Sequence, residues 1–130
     1  MAQPDKIKYS VVEGWEQLPK GYTHRDVAGV AVDAEDRVYV CDRESDRIQI
    51  FSPDGEYLSE WTDTQRPTHL CFDSLGRAYV TELAWYEGDT SHGKLGKITK
   101  DKTRHARMSI YDKNHYCPVI NRIDLVGYCQ

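Results

Sequence analysis

Residues 30–40 read Val-Ala-Val-Asp-Ala-Glu-Asp-Arg-Val-Tyr-Val, and residues 70–80 read Leu-Cys-Phe-Asp-Ser-Leu-Gly-Arg-Ala-Tyr-Val. Aspartate, arginine, tyrosine and valine recur in register at an offset of 40 residues. Further along, Ile-Gln-Ile-Phe at 48–51 matches Met-Ser-Ile-Tyr at 108–111 at an offset of 60, so the second copy carries about 20 additional residues. Self-similarity at such a period indicates an architecture built from repeated units.

The first copy predicts four short strands joined by turns. Residues 27–32 form an apolar run, while 37–41 and 47–51 alternate polar and apolar residues as half-buried strands do. Asp33 to Asp36 supplies turn-forming side chains, and Pro53-Asp54-Gly55 is a strong turn signal. Residues 57–61 form the last strand, and no helical periodicity interrupts this pattern. The sequence therefore predicts an all-β fold made of antiparallel four-stranded units.

The same scheme divides the chain into segments. The predicted units are residues 27–65 and residues 66–124, the second with an insertion at about 84–106. Residues 1–26, here called the lead-in, contain an orphan outer strand at Tyr9–Trp15, which needs a partner elsewhere in the chain or in another molecule. Residues 125–130 match nothing in the repeat and form a tail.

Residues 27–43 followed by 47–55 resemble an NHL repeat. They are most similar to the propellers of the peptidyl-α-hydroxyglycine α-amidating lyase family and its bacterial relatives, and Gly14 to Gly21 is similar to the segment before their first blade. The resemblance covers residues 9–83 well and 106–124 loosely. It implies a partial NHL-type β-propeller, with about two four-stranded antiparallel blades plus an N-terminal outer strand.

The resemblance also implies candidate site residues. The family's lyases are six-bladed rings with a catalytic zinc held by histidines, a structural calcium near the axis, and an arginine in the substrate pocket. By correspondence, the carbonyls of Val30 and Leu70 fall at calcium positions, and Arg43 falls at the pocket arginine. The zinc motif Pro-His-x-Leu departs here, because Thr68 occupies the ligand position. His69 stands one residue along, and on a strand it points to the opposite face.

Arg43 has two interpretations that the residues leave open. Its guanidinium suits bidentate binding of a carboxylate-bearing ligand. Alternatively, it is a surface arginine paired with Asp42 or Asp46, a contact of small energetic value. The other histidines, His24, His92, His105 and His115, form no HxH or HxxxH pair, so His69 is better explained as a packed or loop histidine than as a zinc ligand.

The remaining chemistry-bearing residues favour structural roles. Cys41, Cys71, Cys117 and Cys129 contain no CxxC pair, and the first two lie in strand patterns as structural thiols. The insertion is basic and aromatic, which is typical of a solvated loop. A net charge of -4 with interleaved charges argues against nucleic-acid binding. The absence of a signal-like or membrane-length apolar stretch predicts a cytoplasmic protein without membrane contact.

Two blades cannot close a ring, and propellers have at least four. The chain is therefore expected to be a shortened gene product, a part of a longer protein, or a self-associating unit that completes a propeller with other copies. The predicted function is a non-catalytic propeller module that binds a ligand, protein or peptide. The alternative is a zinc-dependent carbon–nitrogen lyase, active only when further blades are supplied. Calcium and zinc are implied by the resemblance alone.

Overall fold

The computed structural model describes residues 5–84, 105–112 and 119–124. Within these ranges the chain forms two four-stranded antiparallel sheets, which confirms the all-β prediction. The first sheet contains β1 (Val27–Val32), β2 (Val38–Asp42), β3 (Arg47–Phe51) and β4 (Tyr57–Trp61). The second contains β5 (Pro67–Phe72), β6 (Arg77–Glu82), β7 (Arg107–Asp112) and β8 (Val119–Asp124). A single 3-10 turn, Arg43–Ser45, follows β2.

Strand order follows chain order in both sheets, and even the irregularities repeat. The β1–β2 register shifts between Val27 and Gly29, and the β5–β6 register shifts between Pro67 and His69. A second shift lies between the third and fourth strands, at Phe51 in the first sheet and at Tyr111 in the second. The two copies of the repeat therefore fold as equivalent structures, at the offsets of 40 and 60 residues seen in the sequence.

The recurring Asp-Arg-Tyr set forms one hydrogen-bonded clamp in each sheet. Asp33 Oδ1 accepts the backbone N–H groups of Glu35 (2.9 Å) and Arg37 (3.0 Å). Its Oδ2 accepts Arg37 Nε (2.7 Å) and the hydroxyl of Tyr39 (3.0 Å). Burial alone would raise the pKa of Asp33, but these hydrogen bonds from Arg37, Tyr39 and Glu35 lower it.

The second sheet repeats the clamp around Asp73. Its Oδ1 accepts the N–H groups of Leu75 and Arg77, both at 2.9 Å, and its Oδ2 accepts Arg77 Nε (2.7 Å) and the Tyr79 hydroxyl (3.0 Å). The turn needs a positive φ at its fourth residue, which is Gly76 here (78°) and Asp36 in the first sheet (61°). The clamp explains why these residue types recur at a fixed spacing.

The two sheets pack face to face through aromatic side chains. Tyr39 of the first sheet lies 4.7 Å from Phe72 of the second between ring centroids. Trp61 stacks on Tyr111 with centroids 4.9 Å apart and planes at 12°. The shared core includes both sheets, and its aliphatic members are Ile48, Ile50, Leu70 and Val80, all buried. Burial of aromatic and branched side chains between the sheets is the main apolar contribution to this fold.

The first strands of the two sheets approach each other most closely at Gly29. A β-carbon at this position would lie 2.5 Å from the carbonyl oxygen of Thr68 and 3.3 Å from the Cα of His69. Such a distance to backbone atoms leaves no room for any side chain. Gly29 therefore allows β1 and β5 to lie side by side at the inner edge of the two sheets.

The expected outer strand at Tyr9–Trp15 does not form, and residues 5–26 contain no strand. Tyr9 and Val11 are 89% and 82% exposed. Both sheets already contain four strands, with β4 and β8 as their outer strands, so the outer-strand position that Tyr9–Trp15 was expected to fill is occupied in each. The lead-in is instead attached at the β3–β4 turn, where Trp15 Nε1 donates to the carbonyl of Pro53 (3.0 Å) and Gln17 forms a single parallel bridge with Glu56.

Several of the predictions from the sequence fall on residues that the structure does not describe. Most of the insertion at 84–106, the tail at 125–130, His92, His115, Cys117 and Cys129 lie outside the described residues. Within the described ranges, no helix has the length and apolar character needed to cross a bilayer.

The Asp73 clamp predicts acid sensitivity. The N–H of Arg77, helped by the Arg77 side chain, Tyr79 and Leu75, holds the pKa of Asp73 at about 2, below the value of about 3.9 for an unfolded chain. The stabilisation is complete above pH 4 and is lost as the pH falls towards 2. We expect Asp73→Asn to reduce the slope of unfolding free energy against pH in that window, measured by urea denaturation. Asp54→Asn, at an exposed turn aspartate, is the control and should leave the slope unchanged. An unchanged slope in Asp73→Asn would contradict the clamp.

Candidate functional site

Antiparallel connections place all loops at two opposite ends of the sheets. The tight turns after β1, β3 and β5 lie at one end. The opposite end, here called the loop end, contains residues 24–26 before β1, residues 43–46 between β2 and β3, residues 62–66 between β4 and β5, and residues 83–84 after β6. The candidate site residue Arg43 lies at the loop end, whereas Val30, His69 and Leu70 lie within the first strands of the two sheets.

A buried carboxylate anchors the loop end of each sheet. In the first sheet, Asp42 Oδ1 accepts the backbone N–H groups of Arg25 (3.0 Å) and Asp26 (3.2 Å), and Oδ2 accepts Arg47 Nε (3.0 Å). Burial opposes ionisation of Asp42, but these hydrogen bonds and one from Ser45 lower its pKa. Asp42 is therefore a structural carboxylate, since its oxygens hold the segment that enters β1.

Glu82 has the same role in the second sheet. Its Oε1 accepts the N–H of Gln65 (2.8 Å), and its Oε2 accepts Arg107 Nε (2.5 Å) and the Ser109 hydroxyl (2.7 Å). Glu82 is 40 residues after Asp42, and Arg107 is 60 residues after Arg47. The repeat thus extends to the loop end, where an acid at the end of the second strand fixes the entry to the first.

Arg43 pairs with neither of the two acids expected from the sequence. Its Nη2 pairs with Asp26 rather than with Asp42 or Asp46, and its Nε donates to Glu44 Oε1 at 3.0 Å. Its side chain is about one-third exposed (31%). The equivalent position of the second sheet is Leu83, and both positions make the same backbone hydrogen bond to the segment before the first strand. The arginine side chain is therefore not needed to form the loop.

The charges around Arg43 connect the two sheets. Glu44 Oε1 also accepts Arg66 Nη2 at 3.3 Å, and Asp46 Oδ1 accepts the backbone N–H of Arg66 at 2.9 Å. Arg66 Nη1 donates to the carbonyl of Ala84 (2.9 Å). Three acids and two arginines thus form one network with a formal charge of about -1, counting Asp26 as the third acid. This network holds the β2–β3 loop against the segment that enters the second sheet.

The structure places the other resemblance-derived residues on β1 and β5. Val30 is opposite Val40 and is 56% exposed, whereas Leu70 is opposite Val80 and is fully buried. The two strands lie side by side, so the backbones that the calcium hypothesis uses are close together. The side chain of His69 is exposed while that of Leu70 is buried, as expected for consecutive residues of a strand.

A zinc site does not fit the described residues. Among residues 5–84, 105–112 and 119–124, no three histidine, cysteine, aspartate or glutamate side chains are grouped to hold a metal ion. A catalytic zinc needs three convergent protein ligands and an open position. His24 instead contacts Glu16 Oε2 (2.6 Å). Cys41 is a buried thiol whose pKa burial raises to about 12, while Cys71 is exposed.

A cleft that sequence reasoning missed lies beside this network. It is open to solvent, with a volume of about 370 Å³. Its lining residues are Gly21, Tyr22, Thr23, Arg25, Ser45, Arg47, Glu60 and Thr62. Arg47 is held by Asp42, donates to the carbonyl of Thr23 (3.0 Å) and lies 4.8 Å from the centroid of the Tyr22 ring. No motif in the sequence signals this cleft, because its walls come from the lead-in and from β3 and β4, which lie apart in the chain.

Stacked four-stranded antiparallel sheets, with a repeated clamp and their first strands side by side, define the chain as consisting of β-propeller blades. The family model described as "SMP-30/Gluconolactonase/LRE-like region" matches residues 11–84. This match spans more than half of the chain, which therefore belongs to that propeller family. No curated protein matches the chain.

The structural role of the loop-end network can be measured by replacing Arg43 with the residue that the second sheet carries. We expect Arg43→Leu to lower the free energy of unfolding by about 1 kcal/mol or less, because partly exposed ion pairs contribute little. Arg66→Leu should lower the free energy of unfolding more, by about 1–3 kcal/mol, since it also removes the hydrogen bond to the carbonyl of Ala84. Urea unfolding measures both. A larger loss in Arg43→Leu than in Arg66→Leu would contradict the assignment.

Proposed function

We propose that this protein is a non-catalytic propeller module that binds a small carboxylate-bearing ligand at its loop end. The supporting observation is the cleft beside Arg25, whose exposed guanidinium has no hydrogen-bond partner among the described residues. Guanidinium groups bind carboxylates through paired, charge-assisted hydrogen bonds. The hydroxyl of Thr62 and the ring of Tyr22 line the same cleft and can contact the rest of a ligand.

Arg43 is less suited to this role than the sequence suggested. Asp26 and Glu44 already neutralise its guanidinium, and the surrounding network carries a formal charge of about -1. A ligand carboxylate would have to compete with two protein carboxylates there. The cleft is the better site because Arg47 is compensated by Asp42 and Glu60, which leaves the charge of Arg25 available.

A metal-dependent lyase of the peptidyl-α-hydroxyglycine α-amidating type is the second candidate. The observation in its favour is that Arg43, which the resemblance matches to the pocket arginine, is partly exposed at the loop end directly after β2. In this alternative, the carbonyls of Val30 and Leu70 would hold calcium on neighbouring strands. A full set of zinc ligands would have to include residues outside the described ranges, because His69 belongs to no group of three possible ligand side chains within them.

Metal content and turnover distinguish the two candidates. The full chain would be incubated with zinc and calcium, dialysed, and analysed by mass spectrometry for both metals. It would then be assayed with a peptidyl-α-hydroxyglycine and with gluconolactone. We expect less than stoichiometric zinc and no turnover above the buffer rate. About one zinc per chain, together with turnover that Arg43→Leu abolishes, would contradict the binding-module proposal and support the lyase.

The ligand site can be probed with N-acetylglycine. We expect its titration to produce saturable amide shift changes around Arg25 in nitrogen-15 correlation spectra, because the carboxylate pairs with that guanidinium. The changes should disappear in Arg25→Leu and persist in Arg43→Leu. N-acetylglycinamide, which lacks the carboxylate, is the matched control ligand and should produce none. Amide shift changes that depend on Arg43 rather than on Arg25 would contradict the assignment to the cleft and indicate binding at the charge network around Arg43.

A further inference from the structure

The two sheets contact each other through opposite faces of the repeated unit. The first sheet contributes its Tyr39 face, whose described members are Tyr39, Cys41, Ile48, Ile50 and Trp61. The second sheet contributes its Leu70 face, whose members are Leu70, Phe72, Ala78, Val80 and Tyr111. Each sheet, however, has two faces. The internal interface therefore uses one face of each sheet and leaves the other face of each to a different neighbour.

The unused face of the second sheet is the repeat equivalent of the Tyr39 face. Tyr79 corresponds to Tyr39, and strand pairing places Met108, Ile110 and Ile123 where the first sheet has Ile48, Ile50 and Trp61. Ile48 and Trp61 are 0% and 5% exposed, whereas Ile123 is 45% exposed. Apolar side chains are thus retained on a face that is not covered within the described residues.

The unused face of the first sheet is the equivalent of the Leu70 face. Val30 and Val32 correspond to Leu70, which is buried, and to Phe72, which is partly buried, but they are 56% and 54% exposed. We propose that the second sheet of one copy packs its outer face against this Val30 face of a second copy. The contact is head to tail, and it repeats the interface that already exists between the two sheets of one chain.

The lead-in covers the outer half of the Val30 face, so docking must displace it. Trp15 lies 5.9 Å from Phe51 between ring centroids. On the same face as Phe51, both the Oε1 and Nε2 atoms of Gln49 are buried without a hydrogen-bond partner in the described part of the chain. The equivalent residue of the second sheet, Ser109, donates to Glu82. Because a buried amide without partners is unfavourable, the lead-in is a poor cover for this face.

One position breaks the equivalence of the two interfaces. His69 stands where the first sheet has Gly29, at the same bulge. Gly29 is required for the close approach of β1 to the carbonyl of Thr68. The exposed side chain of His69 must therefore hold the incoming β1 of the second copy farther away. This contact is consequently weaker than the internal one, and the association should be reversible.

Sedimentation velocity of the full chain tests the proposal. We expect species heavier than the 15.0 kDa chain to increase with concentration. Ile110→Lys on the outer face, or Val30→Lys on the receiving face, should weaken association at least about tenfold, because each would bury an unpaired charge. Leu75→Lys, at a 71% exposed turn position, is the matched control and should associate like the unmodified chain. Circular dichroism would verify that each variant is folded.

A mixing experiment tests the head-to-tail geometry. Ile110→Lys retains an intact receiving face and Val30→Lys retains an intact outer face, so an equimolar mixture should form a species of twice the chain mass and nothing larger. His69→Gly and Trp15→Ala should each tighten association of the otherwise unmodified chain. A folded monomer at every concentration, or a mixture that stays monomeric, would overturn the proposal.

Discussion

A sheet that is apolar on both faces is stable only when each face is covered, and this constraint governs the whole structure. The first sheet satisfies it on its Tyr39 face, where the second sheet supplies Phe72 and Tyr111. Its other face depends on the lead-in, through Trp15 and Tyr22. Stacking of sheets and docking of the lead-in therefore solve the same problem. The two covers are unequal, because the second sheet supplies stacked aromatic rings, whereas Gln49 on the lead-in side has no hydrogen-bond partner among the described residues.

Two carboxylates in each sheet convert this apolar requirement into a defined geometry. Asp33 and Asp73 close the turn between the first two strands, while Asp42 and Glu82 fix the entry of the chain at the opposite end. Each carboxylate accepts hydrogen bonds from the backbone and from an arginine side chain, so its negative charge is compensated locally. Apolar contacts hold the sheets together, and these carboxylates determine how each strand enters and leaves.

Local sequence predicted the features that depend on local chemistry. The Asp-Arg-Tyr spacing forms the clamp within seven residues, and Pro53-Asp54-Gly55 forms the β3–β4 turn. Period-two alternation placed His69 and Leu70 on opposite faces of β5. The lead-in was not predictable in this way, because its residues have a strand-like pattern while both sheets take all four of their strands from residues farther along the chain.

The partners of Arg43 show the same limit at the candidate site. Asp42 and Asp46 are its neighbours in sequence, but Asp42 is occupied by Arg25, Asp26 and Arg47, and Asp46 accepts the N–H of Arg66. Only the three-dimensional arrangement shows that Asp26, seventeen residues earlier, is the available acceptor. The cleft was missed for a related reason, because one of its walls belongs to the lead-in.

Comparing equivalent positions separates what the repeat conserves from what it varies. The clamps keep their residue types between the two sheets, and Tyr39, Ile48 and Ile50 correspond to Tyr79, Met108 and Ile110. The loop end does not keep its residue types, since Arg43 corresponds to Leu83, Arg25 to Gln65 and His24 to Thr64. At Arg43 and Arg25 the backbone hydrogen bonds of the loop do not depend on the side chain, which is therefore free to be chosen for a ligand. The charge of Arg25 in the cleft is the clearest example, because its backbone holds the fold through Asp42 while its side chain contributes nothing to that contact.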